Sequence, residues 1–151
     1  MFDISKKFRF RNFRVYGEAR SFLKELKALA RSSFPEQERF GLLAQLGRAL
    51  DSVVLNIAEG SERGSDRDFA RFLSIANASL NEVVACLDLA LDGGYLRPSQ
   101  HQPFLEKAAS LGNHLSAFRD SLLRSESQMS NVKSPKITAA RSIRQNYRSA
   151  R

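Results

Sequence analysis

The chain has 151 residues, a formal net charge of +8 and a single cysteine, Cys86, so it accommodates one domain with a sizeable core and excludes an intrachain disulfide. No apolar stretch of signal-peptide length follows the early basic residues, and charges or amides interrupt every apolar run. The expectation is therefore a soluble cytoplasmic protein in a reducing compartment, with no membrane partner. The charge is unevenly spread: residues 1–14 carry +4, residues 126–151 carry +5 and residues 15–125 carry −1, a neutral body with basic ends that suits a polyanionic partner.

In chain order, residues 1–14 come first, where "KKFRFRNF" alternates basic and aromatic side chains and reads as an extended arm. Its cations are Lys6, Lys7, Arg9, Arg11 and Arg14, and Phe8 and Phe10 are candidates for stacking on unpaired bases. The first predicted helix places Val15, Ala19, Phe22, Leu26 and Leu29 at steps of 4, 3, 4, 3. Beside this seam Arg20, Lys24, Lys27 and Arg31 step by 4, 3, 4. Such a row matches phosphates along a nucleic-acid backbone; with Glu18 and Glu25 nearby it also fits a solvated face.

In "SFPE" Ser33 offers an N-cap for the second helix, with Pro35 in the first turn and Glu36 three residues on. Leu43, Leu46, Leu50, Val53 and Ile57 form its seam. Gln45, Arg48, Ser52, Asn56 and Glu59 form a separate polar stripe, suited to a hydrogen-bonded network between helices or subunits. A third face, Ala44, Gly47, Val54, Leu55 and Ala58, broken by Asp51, is too apolar for water and implies burial against another copy of the chain. Gly60 suits a left-handed helix end, and Ser65 with Asp68 opens the third helix. "GSERGS" between them lacks the lysine of a phosphate-binding loop, and Asp66 and Asp68 would repel a phosphate there.

The third seam is Phe69, Leu73, Ala76, Leu80, Val83, Leu87 and Ala90, ended by Gly93–Gly94. Ser99 with Gln102 can open the fourth, which runs Phe104, Ala108, Leu111, Leu115, Phe118 and Leu122. Seams averaging 3.5 residues per step, joined by short loops, predict an all-α, up-down-up-down antiparallel four-helix bundle over 15–125. The serine-rich residues from 126 read as a flexible linker. Beyond it Arg141, Arg144, Arg148 and Arg151 are in phase with Ile137, Ala140, Ile143 and Tyr147, a basic segment able to fold on a partner; Lys133 and Lys136 precede it.

Chemistry-bearing clusters are scarce. His101 and His114 are thirteen apart, Cys86 lies among Val83, Val84, Leu87 and Leu89, and no GxSxG turn, HExxH helix or EF-hand loop occurs, so no metal, cofactor or catalytic residue is expected.

The stretch "FPEQERFGLLAQLGRALDSVVLNIAEGSERGSDRDFARFLSIANASLNEV" resembles the signature of the bacterial four-helix-bundle family of large-subunit (23S) ribosomal RNA intervening-sequence proteins. The matches are Phe34–Pro35, Glu38, Phe40–Gly41–Leu42, Gln45, Arg48–Ala49, Ser52–Val53, Asn56 to Gly60, Phe69, Phe72–Leu73, Ile75–Ala76, Ser79 and Glu82. Tyr16 stands where Trp is common, Val53 where Ile is usual and Ala78 where Gly is usual. The resemblance covers about 13–125. It implies a four-helix protomer, assembly into a ring (a homopentamer), no enzymatic activity, and distant kinship with the nucleic-acid-associated accessory proteins of diversity-generating retroelements.

From sequence, then, the leading expectation is a non-enzymatic, oligomeric nucleic-acid-binding protein, with RNA the first candidate. The second is an adaptor for a polymerase, such as a reverse transcriptase. An enzyme using the polar stripe with Glu82 is the weakest.

Overall fold

The four seams become four long helices. The computed structural model describes residues 3–133, and the basic residues Lys136, Arg141, Arg144 and Arg148 lie outside them. A short helix α1 (Ile4–Lys7) and a 3-10 turn (Arg9–Asn12) precede α2 (Arg14–Ser33). A second 3-10 turn (Glu36–Glu38) leads into α3 (Leu42–Ser61), followed by α4 (Asp66–Asp92) and α5 (Pro98–Lys133). Among the described residues there is no strand.

α2 packs on α3 and α5, α3 on α4, and α4 on α5, so α2 and α4 face each other across a diagonal. The centre is one continuous cluster in which Leu26, Ile57, Val83, Leu87 and Ala90 are fully buried, as are Leu46, Leu50, Leu73 and Leu115 to within about a hundredth of their surface. Each buried leucine contributes roughly 1.5–3 kcal/mol relative to exposure. α4 is long enough and apolar enough, with a mean hydropathy of 1.3 over 18 residues, to cross a membrane by length and composition alone. Glu82, Asp88 and the amides of Asn77 and Asn81 interrupt it, as expected from sequence. Its Phe69, Leu73, Ala76, Leu80, Val83, Leu87 and Ala90 are the bundle core.

Helix boundaries depart from expectation at three places. α3 does not start on the Ser33 cap. Phe34 and Pro35 are extended, and the Leu42 amide is instead capped by the Glu38 carboxylate at 2.8 Å. α5 starts at Pro98 rather than near Ser99–Gln102, and the Gln100 side chain reaches back to the Arg97 amide at 3.0 Å. α5 also continues to Lys133, through residues expected to be a linker. The Ser65 cap on Asp68 N–H (3.1 Å) is as expected, and so is the α4 stop, where Gly94 takes a φ of +73°.

Gly60 is the instructive miss. It is helical inside α3 and has no positive φ; a Cβ there would lie 2.6 Å from Phe72 Cβ and 2.7 Å from Phe69 Cδ2. The residue is small so that α4 can approach, not so that the helix can end.

Candidate nucleic-acid interface

The basic row on α2 exists as one helical face, with different commitments along it. Arg20 lies over the Tyr16 ring at 5.7 Å, Lys24 and Arg31 are exposed, and Lys27 donates to Asp51 on α3 at 2.6 Å. Among the described residues no carboxylate pairs with Arg20, Lys24 or Arg31. Arg14, at the head of the same helix, is held by Glu18 at 2.5 Å.

The N-terminal segment is not an extended arm. Its 3-10 turn docks on the end of the bundle. Arg9 Nε donates to the Ser61 carbonyl at 2.8 Å, Nη2 donates to the same oxygen, and the guanidinium lies 6.0 Å from the Phe69 ring centre. Ser61 ends α3, so a cation here satisfies a carbonyl that has no partner within its helix. Phe10 packs edge-on to Tyr16 (4.9 Å), and Phe13 meets both Phe69 (5.9 Å) and Phe118 (5.2 Å). Arg9 and Phe10 are thus engaged by the fold, whereas Lys6, Lys7, Arg11 and Phe8 are exposed. Lys133 is the last residue of α5, and Tyr147, like the remaining tail cations, lies outside the described residues.

The polar stripe of α3 turns toward α4. Gln45 donates its amide to Glu82 and accepts from Arg48 at 2.6 Å, Ser52 and Ser79 share a hydroxyl hydrogen bond at 2.7 Å, and Asn56 donates to the Ser52 carbonyl (2.8 Å) and hydroxyl (3.0 Å). Glu59 leaves this group and pairs with Arg63 one turn on. Gln45, Arg48, Ser52, Asn56 and Glu82 therefore form an interhelical network with a sixth member, Ser79, which the sequence marks as a signature position but not as part of the polar stripe. Of the apolar third face of α3, Leu55 is 64% exposed, Ala44, Gly47 and Ala58 are half-buried, and Val54 packs against the core.

The remaining titratable groups also join helices. His101 is buried and bonds Asp88 at 2.8 Å, while His114 Nδ1 donates to Glu18 Oε2 at 2.7 Å. Cys86 is buried, and desolvation together with the Glu82 charge pushes its thiol pKa up, the opposite of an activated nucleophile. Among the described residues no cluster of three metal-ligating side chains occurs. A second basic concentration that single-helix periodicity does not reveal lies between α4 and α5, where Arg67 and Arg71 face Arg119 across a groove.

Comparison with known proteins agrees with this architecture. A family model described as "23S rRNA-intervening sequence protein" matches residues 11–117. The crystal structure of a protein of unknown function from the S23 ribosomal protein family of Bacteroides thetaiotaomicron VPI-5482 superposes with a TM-score of 0.61 at 23% identity, covering 70% of this chain and 97% of that one. No curated protein matches the sequence. The structural likeness carries the fold; the family match spans all of α2, α3 and α4 and over half of α5.

Proposed function

The chain belongs to the 23S rRNA-intervening sequence protein family, and from that premise we propose that it is a non-enzymatic, oligomeric protein that binds nucleic acid, RNA in the first instance. The observation that carries this reading is the run of exposed cations without carboxylate partners, Arg20, Lys24 and Arg31 on α2, on a chain of net charge +8. Burial of Cys86 and the helix-joining roles of both histidines favour a binding protein over a catalyst. Assembly through the apolar third face of α3, as a pentamer in the family's manner, would repeat the α2 face several times, and multivalency would add weak contacts together.

The test is binding of a fluorescent single-stranded oligoribonucleotide by the full chain across a salt series. Affinity should fall steeply with salt, with a log–log slope of roughly −0.7 per phosphate neutralised. Arg20→Gln, Lys24→Gln and Arg31→Gln together should weaken binding and flatten the slope. Salt-independent binding, or none, overturns the reading. A protein-adaptor role, with a polymerase as partner, has one observation in its favour: Phe40 is 86% exposed, with only the Arg39 guanidinium over its ring at 5.4 Å. A partner retained after nuclease treatment and lost in Phe40→Ser would support that role.

A further inference from the structure

We infer that the groove between α4 and α5 is a phosphate-binding track for a nucleic-acid strand, separate from the α2 face. This rests on the nucleic-acid reading above and adds a site to it. The groove encloses about 520 Å³ and carries three guanidinium groups, Arg67, Arg71 and Arg119, against one lining carboxylate, Asp68; Ser65 and Ser74 supply hydroxyls.

The register explains how the cluster forms. Arg67, Arg71 and Ser74 step by four and three, which places them on one face of α4, and α5 brings Arg119 opposite them. The negative charge present is already committed. Asp68 is shared by Arg71 at 3.0 Å and Arg63 at 3.9 Å, and Asp120 holds Arg119 at 2.9 Å. A guanidinium has five N–H donors, and a carboxylate occupies only part of that fork, so Arg71 and Arg119 keep donors for a second anion. Arg67 is exposed and has no ion pair or side-chain hydrogen bond among the described residues. Ser74 donates to the Ala70 carbonyl at 3.2 Å, a long bond readily exchanged for a phosphate oxygen.

The site is not the dismissed phosphate loop. Asp66 and Asp68 do occupy the first turn of α4. Arg67 shares that turn, but Arg71 lies one turn further along α4 and Arg119 comes from α5, so the cluster is drawn from two elements and not from the turn alone. A partly apolar wall, including Leu123 at 39% exposed, suits a sugar–phosphate strand with its bases unstacked better than a small hydrated ion.

The experiment is the same oligoribonucleotide titration with the full-length double variant Arg67→Gln/Arg119→Gln. Arg71 is left intact because removing it would unmask Asp68 inside the groove, whereas Asp120, the carboxylate that Arg119 leaves behind, does not line it. Both residues are partly or fully solvent-exposed, and circular dichroism checks that helicity is unchanged. The expected result is at least about tenfold weaker binding at low salt, with a salt slope shallower by about 1.4 for two lost phosphate contacts. If the wild type binds RNA and the double variant binds with the same affinity and slope, the groove is wrong while the nucleic-acid reading stands. If the wild type binds no RNA, the reading beneath it fails as well. Saturable binding of inorganic phosphate that the double variant loses, with RNA affinity unchanged, would overturn the strand in favour of a small anion.

Discussion

Gly60 and Arg9 show how single residues acquire roles their type does not announce. A glycine near the end of a helical pattern suggests a left-handed stop, but at Gly60 α3 lies against α4, with Phe69 and Phe72 filling the space a methyl would need. Intrinsic propensity favours alanine over glycine in a helix by about 1 kcal/mol. Overpacking against aromatic side chains costs about 1–3 kcal/mol and wins here. Gly60→Ala should therefore lower the urea midpoint with an unchanged m-value. Gly17→Ala, in α2 with open space around it, should raise the midpoint. A stabilised Gly60→Ala would mean that the two helices are further apart than described. Arg9 carries the same lesson. Its charge was legible in the sequence, but its partner is a main-chain carbonyl 52 residues away, which no local pattern encodes.

At the scale of the element, helix identity and seam register were legible because a 3.5-residue repeat persists through each segment, and the buried sets follow it closely. The starts of α3 and α5 were not. Their caps come from Glu38 and Gln100, whereas Ser33 and Ser99 looked the stronger candidates from sequence. Glu38 is also held from outside, by the Tyr95 hydroxyl at 2.9 Å, a bond that raises the tyrosine's pKa. The α4/α5 arginines were invisible for a related reason, since opposing faces of different helices meet only after packing.

The α2–α5 seam offers a pH test. Glu18 and Glu25 on α2 meet His114 and Lys107 on α5. Burial raises the Glu18 pKa, but hydrogen bonds from His114 and Arg14 and their charges outweigh it and hold the carboxyl below its usual value. Glu25 is lowered by its bonds from Lys107 and Ser21. A carboxyl depressed in the folded state stabilises above the ordinary value of 4.5, and that contribution is lost as pH falls through the folded pKa. Both groups are partly exposed, so the effect is modest. Between about pH 6 and about pH 3 the wild type should lose more of its urea midpoint than Glu18→Gln/Glu25→Gln does. Equal losses would show that the seam carries no proton-linked stability.

For the whole molecule, the neutral body was legible from the charge tally, but the free N-terminal arm was not a sound inference, because its aromatic residues close one end of the bundle. The apolar third face of α3 makes a direct prediction about assembly. If the chain assembles as proposed, the wild type should scatter light as a multimer of the 17.0 kDa protomer, and Leu55→Glu should leave helicity intact and reduce that mass. An unchanged multimer would move the contact elsewhere. The docking of residues 9–13 also has a temporal side. At about 5–20 residues per second, Ser61 is synthesised roughly 3–10 s after Arg9, and Phe118, which receives Phe13, later still. This segment is thus made before the elements that hold it, and until α5 has been added its aromatic side chains have only part of their final seat.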